Sequence, residues 1–98
     1  MFTGIIEDLG IVASIEPRQA GARLTIRTAL AHGLAAGSSI AVNGVCLTAL
    51  DPSPASFAAD LAPETLSRSN LGGLRSGGRV NLERPVTPAT LLSGHIVQ

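Results

Sequence analysis

Apolar residues fall at every second position near the start of the chain. Leu9, Ile11, Ala13 and Ile15 alternate with Gly10, Val12 and Ser14, the period of a strand with one face against a core. This predicts a strand over residues 9–15 that buries the Leu9 face. Residues 23–28 alternate more cleanly, with Leu24 and Ile26 on one side and Arg23 and Arg27 on the other, after a turn marked by Pro17 and Gly21. The Ala-rich residues 29–37, with Gly33 and Gly37, read as a loop holding at most one helical turn, and they carry His32. Residues 38–50 give the longest strand signal, broken at Asn43-Gly44. That pair fits a two-residue hairpin turn or a bulge in one bent strand. The apolar flanks are short for two well-paired strands and Asp51-Pro52-Ser53-Pro54 already supplies a turn, so the bulge is expected.

Residues 55–61 form the next expected strand, with Phe57, Ala59 and Leu61 on one face. Pro63 sits where a helix accepts proline, at its first position, and Glu64 suits the positive end of the helix dipole. The helix is expected from residue 63 to about residue 70, stopping at Gly72-Gly73. A strand over residues 79–84 closes at Pro85, and residues 91–97 read as the last strand. Short strands at near-regular spacing with one or two helical turns predict an all-β fold, a small closed barrel. Residues 92–98 look like the inside of a strand, and Met1-Phe2-Thr3-Gly4-Ile5-Ile6 enters a strand almost at once. The expectation is a domain taken from a longer protein.

Ninety-eight residues, 45% of them hydrophobic, suffice for one domain with one core. Two Phe and no Trp or Tyr leave the core to Val, Leu, Ile and Ala, and remove the stacking platform that single-stranded nucleic acid needs. Seven basic residues balance seven acidic ones, and the scattered Arg residues make no polyanion footprint, so no nucleic-acid partner is expected. One Cys cannot staple the fold, and no apolar stretch reaches the ~20 residues of a membrane span, which points to a cytoplasmic protein without a membrane partner.

Cys46 and Thr48, two apart on a strand, share a face opposite Val45, Leu47 and Ala49. Two readings fit: a small hydrophobe beside a Thr favoured for its β-branch, which is the commoner case, or a polar pair presented to a ligand. His32, His95 and Cys46 lack the short spacing of a zinc site, so no metal is expected. No Ser lies in a G-x-S-x-G elbow, and the glycines form no phosphate loop. Asp60 and Glu64, flanking Pro63, fit either a polar clamp beside helix-start amides or an exposed strand end followed by a helix cap.

Together the residues carry a more specific signal. Met1-Phe2-Thr3-Gly4-Ile5-Ile6, Asn43-Gly44-Val45-Cys46-Leu47-Thr48, Pro63-Glu64-Thr65-Leu66, Asn70-Leu71-Gly72, Val80-Asn81-Leu82-Glu83-Arg84 and Ser93-Gly94-His95 occur in the order and approximate spacing of the riboflavin synthases of the α-chain type. The chain resembles the first half of that family along essentially its whole length. The resemblance implies a six-stranded antiparallel Greek-key β-barrel with one or two short helices, the N-terminal of two similar barrels. It implies an enzyme that moves a four-carbon unit between two molecules of 6,7-dimethyl-8-ribityllumazine. The products are riboflavin and 5-amino-6-ribitylaminopyrimidinedione, and no cofactor is needed.

Carried over residue by residue, the family's substrate contacts fall on Gly4, Ile5 and Ile6, on Cys46, Leu47 and Thr48, and on Asp60, Leu61, Ala62, Pro63, Glu64 and Thr65. Met1, Phe2 and Thr3 are expected to cover the site. Cys46 has no neighbouring cation in sequence and is assigned to shaping the site rather than to nucleophilic attack. Family members continue past Gly94-His95 into a second Gly-His pair, so this length of chain is expected to bind lumazine or riboflavin with little catalysis. By the resemblance the full-length protein is a homotrimer. A lone barrel bares the face that meets its twin, so a twofold homodimer is expected. The competing expectation is a non-catalytic lumazine-carrying antenna relative, distinguished by whether the full-length parent makes riboflavin.

Overall fold

A computed structural model describes residues 2–85. Six strands follow one another as β1 (Asp8–Arg18), β2 (Gly21–Arg27), β3 (Ser39–Val42), β4 (Val45–Thr48), β5 (Ser56–Leu61) and β6 (Arg79–Glu83). One short helix, α1 (Pro63–Arg68), follows β5, and 3₁₀ turns occupy Ala29–Gly33 and Asn70–Gly73. All strand pairs are antiparallel, and the sheet runs β4-β3-β6-β1-β2-β5. β6 returns from the far end to lie between β1 and β3, a crossed connection of the Greek-key kind. The two edges meet at a single bridge, Leu50 with Ala58, so the sheet curls into a barrel closed at one pair. The expected all-β barrel is what the chain forms. Among the described residues no helix is long and apolar enough to cross a membrane.

The first strand corrects the simple alternation. Leu9 and Ile11 are 54% and 38% exposed, whereas Gly10 and Val12 face inward. The register shifts between Val12 and Ser14, so that Val12 opposes Ile26 while Ser14 opposes Thr25. Ala13 is the extra residue of a bulge. Because side chains alternate with period two, one inserted residue exchanges the faces: Ile15 opposes the buried Leu24 and packs on the core, whereas Leu9 and Ile11 point out. Gly10 is required inside because a Cβ there would meet Ile26 Cγ2 and Leu82 Cδ1 at 2.7 Å. The expected turn at Pro17 is also corrected, since Pro17 lies within β1 opposite Ala22. Beyond Ile11, β1 has left its β6 partner, and an edge tolerates a residue without an N–H.

Asn43-Gly44 overturns the expected bulge. Both residues have positive φ, 49° and 82°, the geometry of the two-residue turn whose twist matches a hairpin, and β3 and β4 pair over Ser39–Val42 and Val45–Thr48. The short flanks are adequate because β3 is also paired with β6. Asn43 extends that pairing: its amide donates to the Asn81 carbonyl at 2.8 Å, and the Asn81 amide donates to Asn43 Oδ1 at 2.7 Å. The extra strand brings the described count to six; the strand expected over residues 91–97 lies outside the described residues.

The core is filled as composition requires. Phe57, Leu24, Ile26, Ile40, Leu61, Leu71 and Leu82 are all at most 1% exposed, each of these apolar side chains being worth roughly 1.5–3 kcal/mol on burial. The loop over residues 29–37 contains one 3₁₀ turn, as expected. The helix is shorter than expected: it ends at Arg68, and a separate 3₁₀ turn covers Asn70–Gly73.

Candidate functional site

On β4 the alternation holds. Cys46 and Thr48 are exposed, Leu47 is buried at 8% and Ala49 at 0%. Leu47 therefore supports the site from the core side. Register places Cys46 beside Ala41 and Ala41 beside Glu83, so these three side chains form a row on the outer face across β4, β3 and β6. Cys46 and Glu83 are two strands apart, about 10 Å at the ~4.8 Å strand spacing.

The other flank of β4 faces β5. Only Leu50 and Ala58 bond there, amide to carbonyl in both directions at 2.7 and 2.8 Å. Counting back along that register sets Thr48 across from Asp60 and Cys46 across from Ala62, but no ladder continues between these strands. The seam opens toward the corner that joins β5 to α1. Leu61 turns inward at 1% exposure; Ala62, Pro63 and Glu64 are exposed and Thr65 is half-buried. Ala62 caps the helix with its backbone alone, Pro63 starts it and Glu64 lies in the first turn.

Asp60 is not a free carboxylate. Arg23, its cross-strand partner, donates Nε to Asp60 Oδ1 at 2.9 Å and reaches Asp51 Oδ2 through Nη1 at 3.4 Å. The hydrogen bond from Arg23 and its positive charge hold the Asp60 carboxyl below the usual range, and Asp60 in turn raises Arg23. Arg23 thus ties the Asp60 carboxylate at the β5–α1 corner to β2, and Arg23 had no distinguishing signal in sequence beyond its place on an outer face. An open depression of about 220 Å³ is lined by Arg18, Ala20, Ala22, Arg23 and Asp60. It is smaller than the ~300 Å³ lower bound of ordinary small-molecule sites and touches neither Cys46 nor Thr48.

The N-terminal segment reaches the same outer face from the β6 side. Glu83 is only 7% exposed although it follows the inward Leu82, because Thr3 and Gly4 lie against it. Glu83 Oε2 accepts from the Thr3 amide and from Thr3 Oγ1, the latter at 2.7 Å, and Oε1 accepts from the Gly4 amide at 3.0 Å. Burial pushes the Glu83 carboxyl up, but the bonds from Thr3 and Gly4 outweigh it and hold it low. Next to it Glu7 accepts from the Arg84 amide at 2.6 Å and from Arg84 Nη2 at 2.9 Å. Burial raises Glu7, and the Arg84 bonds and charge lower it further than that. Ile5 and Ile6 stand 41% and 53% exposed beyond Gly4. Met1 and His95 lie outside the described residues.

The structure therefore gathers the sequence-derived site residues along one band of the outer surface: residues 3–6 at β6, Cys46 and Thr48 on β4, and residues 60–65 across the seam. Leu47 and Leu61 are core residues behind it. Sequence reasoning missed Glu83, since alternation marks it as outward and nothing in the chain says that it is covered. Among the described residues no three of His, Cys, Asp and Glu gather as a metal site.

A family model described as the lumazine binding domain matches residues 3–85. The riboflavin synthase of Mycobacterium tuberculosis (strain ATCC 25618 / H37Rv) is 55% identical to this chain, covering 100% of it and 50% of the mycobacterial protein. Those of Actinobacillus pleuropneumoniae and Bacillus subtilis (strain 168) are 46% and 40% identical, each covering 99% of this chain and 46% of its relative. The chain thus spans about half the length of the curated relatives it matches. In fold it is similar to the crystal structure of LumP complexed with 6,7-dimethyl-8-(1′-D-ribityl) lumazine. The TM-score is 0.79, covering 86% of this chain and 49% of that one at 23% identity.

Proposed function

Because the chain belongs to the lumazine binding domain family, we propose that it is the N-terminal barrel of a cytoplasmic riboflavin synthase and holds one molecule of 6,7-dimethyl-8-ribityllumazine or riboflavin. The observation that carries this reading is the match to riboflavin synthases along the whole chain, at 55% identity. The open seam beside β4 supports the placement of the ligand: Cys46 and Thr48 face outward there, and the β5–α1 corner supplies residues 60–65 on the other side. The ring rests over Cys46 and Thr48, with Gly4, Ile5 and Ile6 along one margin. The ribityl hydroxyls and ring carbonyls meet the polar groups of the corner.

The parent reaction is a transfer between two lumazines. One 7-methyl group loses a proton, the resulting carbanion attacks the second ring, and a four-carbon unit passes across to give riboflavin and 5-amino-6-ribitylaminopyrimidinedione. Holding two rings in register supplies much of the rate, so two barrels must face each other. One barrel binds a single ring, and this length of chain therefore binds with little or no turnover. The isolated barrel pairs with a second copy through the exposed Ile5, Ile6, Leu9 and Ile11, and the full-length parent is a homotrimer.

Fluorescence titration of the 98-residue chain with riboflavin and with the lumazine tests the reading. Saturable binding is expected, weakened about three- to tenfold by Thr48→Val through loss of one hydrogen bond. Absence of binding by a folded chain, or a Thr48→Val variant that binds as the parent does, overturns the site.

A further inference from the structure

We infer that Glu83 is a positioning residue: its carboxylate latches Thr3 and Gly4 onto the outer face of β6 and so sets the N-terminal margin of the ligand site. This rests on the site proposed above. A carboxylate at 7% exposure needs compensation for lost water, and among the described residues it receives it from the three donors of Thr3 and Gly4. No cation bonds to it among the described residues; the nearest basic side chain in sequence, Arg84, is engaged by Glu7. The charge is thus committed to the N-terminal segment. Packing alone would be served by an apolar residue, as it is by Ala41 in the next strand.

The latch also sets direction. Gly4 has φ 82°, which turns the chain at the second of the two residues that Glu83 holds, and the Ile5 amide donates back to Thr3 Oγ1 at 3.1 Å. The Glu7 amide then bonds to the Leu82 carbonyl at 2.8 Å and leads into β1. Residues 3–7 are therefore fixed at both ends, by Glu83 and by β6. Since Glu83, Ala41 and Cys46 share one row, this fixed segment borders the surface on which Cys46 stands. Without the carboxylate the segment swings free, and a ligand that uses it must reorder it on binding, which weakens apparent affinity by the fraction of time the segment is in place.

The test is a double-mutant cycle with Glu83→Gln, which keeps the shape and loses the charge, and Thr3→Pro, which removes both Thr3 donors from an exposed position. Amide hydrogen exchange and the dissociation constants for riboflavin and the lumazine are measured for each chain. Glu83→Gln is expected to speed exchange at Gly4 and Thr3 while Leu24 and Ile26 stay protected, and to raise the dissociation constant about tenfold, as when the segment is in place a tenth of the time. Thr3→Pro is expected to do the same to the dissociation constant, and the pair together no more than either alone. Fully additive losses, or faster exchange with unchanged affinity, overturn the positioning role. If Glu83→Gln fails to fold, Thr3→Pro decides alone, since unchanged affinity in that variant sinks the latch. If the parent chain binds neither ligand, the site reading fails first, and exchange at Gly4 still shows whether the latch exists.

Discussion

Thr28 and Ser69 play the same part in two places. Each hydroxyl accepts from the amide two residues on, at 3.1 and 3.2 Å, and starts a 3₁₀ turn. Each turn ends at a leucine, Leu34 or Leu74, whose amide returns to the carbonyl three residues back. Each chain then turns through a glycine, Gly37 at φ 87° or Gly77 at φ 86°, into β3 or β6. Neighbouring strands dock in the same way: Gly37 donates to Ala49 and Ala49 to Ser38, as Gly77 donates to Val12 and Val12 to Gly78. By these bonds β4 matches β1. Thr48, opposite Ser39, corresponds to Ile11, opposite Arg79, and Cys46 corresponds to Leu9.

The two units differ on the outside. β4 presents Cys46 and Thr48, whereas β1 presents Leu9 and Ile11. β2 enters its turn directly at Thr28, whereas α1 intervenes between β5 and Ser69. One backbone plan thus carries a polar lining beside an extra helix and, elsewhere, an apolar lining without one. Strand alternation permits this because the outer residues change without disturbing the inner ones. The polar copy suits a small ligand with hydroxyls, and the apolar copy suits another barrel.

The largest expected effect comes from erasing that contrast. If the isolated barrel pairs as proposed, Leu9→Glu with Ile11→Glu is expected to leave it monomeric in sedimentation, removing about 1.5–3 kcal/mol of association per buried side chain. The melting of the monomer itself should change by no more than about 0.5 kcal/mol, as for other surface positions. A variant that stays dimeric breaks the assignment of the apolar copy. The paired caps give a smaller, sharper comparison. Thr28→Ala and Ser69→Ala should each cost about 0.5–2 kcal/mol in urea unfolding. Thr28 should be the costlier, because its hydroxyl donates to the Asp8 carboxylate at 2.6 Å, whereas that of Ser69 donates to the neutral Thr65 carbonyl. Equal losses would mean that the bond to Asp8 is worth no more than the bond to the Thr65 carbonyl.

Acid should separate the two units more gently. Glu7 and Glu83, both on the β1–β6 side, have carboxyls held below the ordinary Glu value of 4.5 in the folded chain. A depressed carboxyl contributes stability that is present above the unfolded value and is lost as pH falls through the folded one. Stability should therefore decline below about pH 4.5, with Gly4 exchanging before the amides of β3 and β4. Loss of β3–β4 protection first would reverse the comparison.

Much of the fold was legible because alternation reports which residues are inside wherever strands are regular. Leu24 and Ile26, Phe57, Ala59 and Leu61, and Leu47 with Ala49 all followed it. It failed at β1 because the Ala13 bulge exchanges faces and the inward position at Gly10 carries no side chain to announce it. The hairpin at Asn43-Gly44 ran against short flanks and a second turn signal at residues 51–54, but the pairing of β3 with β6 makes up for the short flanks. Of the candidate site, the outward pair Cys46 and Thr48 could be read from spacing. The partners of Asp60 and Glu83 could not, since Arg23 lies 37 residues from one and Thr3 lies 80 from the other.

The place of β6 between β1 and β3 bears on how this domain is made. β1, β2 and β5 form one sheet fragment and the β3–β4 hairpin another, and β6 joins them. On the ribosome both fragments emerge before their connector. Until residues 79–83 arrive the Leu50–Ala58 bridge is their one backbone pairing, and Asp8 must wait for Leu82. The barrel is consequently sealed late in its own synthesis, through a contact of long sequence separation, the kind that slows folding and prolongs exposure of strand edges.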